Sequence, residues 1–211
     1  MKHNSTTRRG ALTTLLLSGV AAASLPVTSL SQPSVRTAQT AEGPYYPRQH
    51  MRFADQDNDL VYIQGADQEA QGERLYLTGT VYDRRGQVLK GARIEIWQVD
   101  YNARYLHTAD PADRPRDPYF QGFGSTVTNE QGQYIFRTIR PVEYPGRTPH
   151  IHAKVLVEGR ERLTTQFYVD GLAANQNDFL WRSLSPAQQQ ALSMRYQPVE
   201  GGSLARVDIR L

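Results

Sequence analysis

The sequence predicts an all-β protein: an antiparallel β-sandwich with long loops and one short C-terminal helix. Apolar and polar residues alternate in five separate segments, which is the pattern of half-buried strands. Gly- and Asp-containing turns separate several of them, and a helix-start signal with a proline stands only near the C-terminus.

The N-terminus comes first. Residues 1–32 carry a twin arginine, Arg8 and Arg9, then an apolar stretch from Ala11 to about Val27. That is the layout of a twin-arginine export signal, which predicts a mature protein in the periplasm or outside the cell. The plainer reading is a chance arginine pair before a buried helix or a membrane anchor. Pro26, and an apolar run shorter than the roughly 20 residues a spanning helix wants, count against an anchor. The expected organisation is therefore a signal over 1–32 and a single β-sandwich domain over 33–211, large enough to bury its own core.

The charge balance changes with that division. The whole chain has 24 Lys and Arg against 21 Asp and Glu, but 1–32 holds Lys2, Arg8 and Arg9 and no acid, so 21 basic residues face 21 acidic ones in the rest. The basic excess belongs to the signal, and neither nucleic acid nor a membrane surface is expected as a partner of the mature form. The chain has no cysteine. Any metal site must therefore use oxygen and nitrogen donors, which excludes zinc–thiolate and iron–sulfur centres.

The strands follow in order. Segments 75–82 (LYLTGTVY) and 92–99 (ARIEIWQV) flank a DRRG turn; after an NEQG turn come 134–140 (YIFRTIR), 150–157 (HIHAKVLV) and 163–169 (LTTQFYV). Between them, 102–122 contains Pro111, Pro115 and Pro118 and reads as a long loop, of a length that is usually functional or disordered. The helix begins with Ser185 as N-cap and Pro186 at its first position, and is expected to run on through AQQQALSMRY.

Chemistry concentrates around His150-Ile151-His152. Strand residues two apart project to one face, so both imidazoles can converge on one ion while Ile151 turns to the opposite layer. A surface pair of histidines would show the same spacing, but only five histidines exist in the chain and these two follow an unusual YPGRTP turn. With no cysteine and no adjacent acidic cluster, a hard trivalent ion would look to tyrosine, whose phenol ionises on a strongly Lewis-acidic metal. Composition alone cannot choose among 12 tyrosines; Tyr144 could be a packing residue and Tyr105 a loop anchor.

The series IEIWQVDYNARY, GFGSTVTNEQGQYIFRTIRP, YPGRTPHIH and TTQFY, preceded by AEGPYYP at 41–47, resembles the intradiol ring-cleavage dioxygenases, the iron-binding protocatechuate 3,4-dioxygenase subunit type above all. The resemblance implies one Fe(III) per chain, held by Tyr105, Tyr144, His150 and His152, with Tyr144 as the ligand that leaves when substrate chelates. It also implies that Arg147 stabilises negative charge developing on the substrate and that Gln166 lines the same pocket. The implied reaction opens a catechol-type ring between its two hydroxylated carbons with O2, giving a muconate-type diacid. The turn from Tyr144 to His150 is shorter than in protocatechuate enzymes and lacks their tryptophan. No room is expected for the helical N-terminal domain of the catechol 1,2-dioxygenases. The particular catechol and the oligomeric state stay open.

Two other classes fit part of the pattern. GTVYDRRGQVLKGARIEI with TNEQGQYIF also resembles prealbumin-like and carboxypeptidase-regulatory-like sandwich modules, which bind without catalysing. An exported zinc or copper protein could use His150, His152 and His107. Otherwise His107 is expected at the surface or behind the ligands, Tyr45 and Tyr46 at the pocket edge or stacked on the sandwich, and Trp97 and Trp181 as core or interface aromatics.

Overall fold

The computed structural model describes residues 35–111 and 113–211. The expected export signal lies outside the described residues. Among the described residues ten strands and two short α-helices follow in order: β1 (Arg74–Tyr82), β2 (Arg93–Trp97), β3 (Phe123–Val127), β4 (Gln133–Ile139), β5 (His150–Val157), β6 (Arg160–Val169), α1 (Phe179–Arg182), α2 (Pro186–Ala191), β7 (Ser193–Met194), β8 (Gln197–Val199), β9 (Gly202–Arg206) and β10 (Ile209–Arg210). Among the described residues no helix is long and apolar enough to cross a membrane.

The strands form two sheets. In the first, β1 pairs with β4 antiparallel on one side and with β9 and β10 parallel on the other, and β8 joins β9. The second runs β3-β2-β5-β6-β7. Leu75, Leu77 and Phe136 from one sheet, and Ile94, Ile96, Ile151, Ala153, Val155 and Phe167 from the other, belong to one fully buried core cluster. Each large apolar side chain buried this way contributes roughly 1.5–3 kcal/mol. Alternation in the sequence thus selects the inner faces correctly.

Three pairs depart from the antiparallel expectation, all made by short C-terminal strands. β9 and β10 lie on β1 in one continuous register, Leu75 opposite Ser203 and Val81 opposite Ile209. At the break between them Val207 N donates to Thr78 O at 2.9 Å, while Thr80 N is taken by the Asp208 carboxylate at 2.8 Å. Gly79 sits opposite that break, and a Cβ there would stand 1.9 Å from Val207 O, so this strand position has room for glycine only. The third parallel pair joins β7 to β6. It shortens the expected helix: α2 has the predicted Ser185 cap, a capping box with Gln188 and Pro186 in its first turn, but it ends at Ala191 because Ser193 and Met194 pair with Tyr168 and Val169.

The second sheet also departs from the half-buried pattern. On β2 and β5 the outward residues Glu95, Trp97, His150, His152 and Lys154 are buried as well. The segment before residue 50 covers them. Thr40 N donates to Thr164 O at 2.9 Å, Thr165 Oγ1 to Ala38 O at 2.7 Å and Gln166 Nε2 to Ala41 O at 2.9 Å, while Glu42 pairs with Lys154. Loop 102–122, which has neither strand nor helix among its described residues, is organised around the buried carboxylate of Asp100, which accepts from the backbone N–H groups of Asn102, Arg104 and Asp117. An outer face sealed in this way can hold polar groups away from water.

Candidate active site

Two registers put the site on that outer face: Trp97 and Gln166 flank His152, and Tyr168 lies opposite His150. The His152 ring stacks on Trp97, centroids 4.7 Å apart and planes 10° from parallel. Gly43, with φ +77°, lays bare backbone beside the imidazole, where an added Cβ would come within 3.6 Å of Cε1. His150 is oriented differently. Its Nδ1 lies 2.7 Å from Thr148 O, and since a carbonyl only accepts, Nδ1 carries the hydrogen and Nε2 presents a lone pair.

The Nε2 atoms of His150 and His152 are 3.1 Å apart. Tyr105 OH stands 2.9 Å from His152 Nε2, 3.4 Å from His150 Nε2 and 3.4 Å from Tyr144 OH. Loop 102–122 delivers Tyr105: Asp110 Oδ2 accepts its backbone N–H at 2.6 Å, and Ala103 just before it takes the left-handed conformation, φ +59°, uncommon for alanine. Tyr144 comes from the tight turn ahead of β5, closed by Arg147 N donating to Tyr144 O at 3.0 Å.

Burial governs the charge of these groups. It holds the His150 pKa down to about 3 and that of His152 well below the ordinary imidazole value, with Arg147 adding to both effects, so both rings are neutral. Burial raises Tyr105 well above an ordinary phenol and raises Tyr144 too, although the bond from Tyr105 and the nearby Arg147 pull Tyr144 back. Without a cation the site holds two neutral imidazoles and two phenols. A cation reverses this preference, because its charge favours phenolate and gives facing nitrogen lone pairs a common acceptor. The donor set of two nitrogens and two phenolic oxygens therefore fits a hard, high-valent ion such as Fe(III).

The structure brings Tyr105, Tyr144, His150 and His152 together. It does not bring His107 to them: among the described residues no group of three or more His, Cys, Asp or Glu gathers as a metal site, and His107 Nδ1 instead accepts from Ala109 N at 3.1 Å. Tyr45 packs on Tyr105 at 4.9 Å between centroids. Tyr46 belongs to the scaffold, its OH donating to Glu95 Oε2 at 2.6 Å and its ring lying edge-on to Trp97. Trp181 packs against Tyr168.

Arg147 sits beside the phenols, Nη1 3.5 Å from Tyr144 OH. Its Nη2 donates to Gln166 Oε1 at 2.6 Å and its Nε to Asp178 Oδ2 at 2.7 Å. Gln166 is wholly buried and reaches Arg147 and Ala41 rather than the four donors. A cleft of about 430 Å³ opens here, lined by Tyr144, Arg147, Thr148 and Asp178 with Glu143 and Arg114 at its sides. Asp178, Thr148 and Asn175 are absent from the sequence-based site. An Asp followed by a short apolar run is a helix-start signal, but nothing in it announces a partner 31 residues away.

A family model described as Dioxygenase matches residues 41–210. The protocatechuate 3,4-dioxygenase beta chain of Burkholderia cepacia is 34% identical over 148 residues, 66% of this chain and 63% of that relative. The catechol 1,2-dioxygenase of Acinetobacter baylyi is 31% identical over 164 residues, 69% of this chain and 50% of the relative. The chain thus spans less than two thirds of the length of these two curated relatives. Among solved structures, the dioxygenase domain of a dioxygenase carbohydrate-binding protein fusion from Streptomyces sp. SirexAA-E is 31% identical with a TM-score of 0.64, covering 84% of this chain and 98% of that one. An intradiol ring-cleavage dioxygenase from Tetranychus urticae gives the same TM-score, 0.64, at 24% identity over 83% of this chain and 94% of that one, a likeness of fold alone. With a dioxygenase model matched over most of its length, and relatives of the protocatechuate and catechol types on either side, the chain belongs to the intradiol ring-cleavage dioxygenase family.

Proposed function

We propose that this protein is an Fe(III)-dependent dioxygenase that cleaves a catechol-type ring between its two hydroxylated carbons, adding both atoms of O2 to give a muconate-type diacid. The observation that carries the reading is the convergence of Tyr105 OH, Tyr144 OH, His150 Nε2 and His152 Nε2, each within 3.4 Å of another member of the set. The relatives named for protocatechuate and catechol act, by those names, on ortho-diphenols. Neither a plain sandwich module nor a zinc or copper site needs a buried and a half-buried phenol facing two imidazoles.

Ferric iron held by these four residues would supply Lewis acidity, favouring the ionised forms of both phenols and of a chelating catechol and so an electron-rich ring towards O2. The protein divides the remaining work. Tyr105, 2% exposed and fixed through Asp110, would be the permanent ligand. Tyr144 is half-buried at the cleft, where its phenolate can accept a proton from an incoming catechol hydroxyl and swing away. Arg147 faces the negative charge that develops on the substrate, the role of a preorganised cation in a site shielded from water. His150 and His152, neutral and locked by Thr148 O and Trp97, need no proton released to serve as ligands.

The test is oxygen uptake by iron-loaded protein on plain, carboxylated, alkylated and hydroxylated catechols, with the ring-opened diacid identified. Iron-replete protein that turns over none of them overturns the reading.

We also propose that residues 1–32 direct export by the twin-arginine route and that 33–211 form the exported domain. Fusing 1–32 to a reporter should carry it out of the cytoplasm. Replacing Arg8 and Arg9 with lysine should stop it; export that persists would refute the proposal.

A further inference from the structure

We infer that Asp178 is a positioning residue for Arg147, its buried carboxylate holding the guanidinium with one N–H edge turned towards Tyr144 and the cleft. The inference rests on the reading of Arg147 as the group that stabilises negative charge.

An arginine on a turn has a long, freely rotating stem, and only fixed partners give its planar head one orientation. Arg147 is 12% exposed, and its three kinds of nitrogen have separate directions: Nε to Asp178, Nη2 to Gln166, Nη1 to the Tyr144 hydroxyl. Of these partners only Asp178 is a carboxylate, and its side chain is fully buried.

The carboxylate is itself fixed. Oδ1 accepts from Leu180 N at 3.0 Å and Trp181 N at 3.1 Å, starting α1, and Oδ2 accepts from Arg147 Nε and, at 3.2 Å, from Thr148 N. Burial alone would raise its pKa, but the bonds from Arg147 and from the backbone outweigh that and keep it below the ordinary carboxylate value. Thr148 extends the frame. Its Oγ1 donates to Asn175 at 2.7 Å, Asn175 Nδ2 donates to Val169 O at 2.8 Å, and Thr148 O takes the hydrogen of His150. One frame therefore sets both the guanidinium and a histidine of the site. The Phe179 ring, 65% exposed, lies 5.6 Å from the guanidinium carbon on the solvent side.

A cap residue could matter only because it starts a helix, so the variant must separate the two oxygens. Asp178→Asn can keep an acceptor for Leu180 and Trp181 while its NH2 group turns against Arg147 Nε–H and Thr148 N–H, setting donor against donor. Asp178→Ser, also a good cap, lacks the reach to Arg147 and serves if the asparagine variant fails to fold.

In iron-loaded protein either variant should keep its metal content and lose at least tenfold in kcat with a smaller change in KM. In an Arg147→Leu background the same substitution should change kcat less than twofold, because its effect runs through the arginine. A loss of equal size in both backgrounds, or a rate within twofold of wild type where Arg147→Leu itself is impaired, overturns the inference. Position is read independently of turnover from the Arg147 Nε–H proton of 15N-labelled protein, which should exchange slowly in wild type and much faster in Asp178→Asn. Unchanged exchange overturns the inference. An Arg147→Leu enzyme with wild-type turnover, together with faster exchange in Asp178→Asn, would leave Asp178 as the holder of Arg147 and remove the charge-stabilising role.

Discussion

His150 and His152 face each other Nε2 to Nε2 at 3.1 Å while a backbone carbonyl holds the hydrogen of His150 on the far side of its ring. A cation held beside them would take both nitrogen lone pairs at once. The protein as purified is expected to contain close to one high-spin ferric ion per chain and to show a broad visible absorption from phenolate-to-iron charge transfer. Dithionite should bleach it. Metal analysis finding zinc in colourless protein would remove the dioxygenase reading.

The two phenols should differ on substitution. Tyr105→Phe removes the buried phenol proposed as the permanent ligand and should cost iron retention as well as activity. Tyr144→Phe should keep iron but chelate catechol slowly, because the proton acceptor beside the cleft is gone. Anaerobic spectral titration with catechol, read beside metal content, separates them; the opposite pattern would exchange the two roles.

Arg147→Leu should leave iron and colour in place, since the guanidinium is not a ligand, and should lower kcat on the order of 10²–10³. Steady-state oxygen uptake measures this directly. A rate within twofold of wild type would contradict the assignment.

Acid should unfold the metal-free protein in a defined window. The folded His150 has its pKa held near 3 against 6.5 for an ordinary imidazole, and His152 is depressed in the same direction. The unfolded chain therefore binds more protons across that interval, so this part of the stability is complete above about pH 6.5 and is lost as pH falls towards 3. Urea midpoints measured against pH should show the slope, and replacing both histidines with glutamine should flatten it. An unflattened slope would assign it to other groups.

Gly79→Ala tests the seam between β1 and the C-terminal strands. The added methyl would meet the Val207 carbonyl at 1.9 Å, a backbone atom with little freedom to give way. A loss of about 3 kcal/mol, at the upper end for overpacking, is expected from denaturant melts, with β10 the first to exchange its amides. A melt equal to wild type would mean that the seam opens at little cost.

Much of this architecture was legible because its determinants are local. Period-two alternation selects Leu75, Leu77, Ile94, Ile96, Phe136 and Phe167 for the interior, and His150 and His152 share a face by strand geometry alone. Segments such as Ser193–Met194 and Ile209–Arg210 are too short to show a period, and their parallel partners lie far away in sequence. The burial of Glu95 and Lys154 was hidden for a related reason, since polar residues on a strand read as solvent-facing until the covering segment is known. Tyr105 and Tyr144 could be singled out from 12 tyrosines only through family resemblance, and Asp178 belongs to the site through a bond that no spacing rule links to Arg147.

The covering segment has a consequence for the order of events during synthesis. Ala41 emerges 125 residues ahead of Gln166, whose amide it accepts, and Ala38 precedes Thr165 by 127. The wall that seals the donors from water is therefore made early but can close only after β6 exists to receive it. Until then the nascent chain has His152 uncovered and Arg147 unsupported, so uptake of the proposed iron would belong after β6 and Asp178 have been made, as a step on a nearly complete fold.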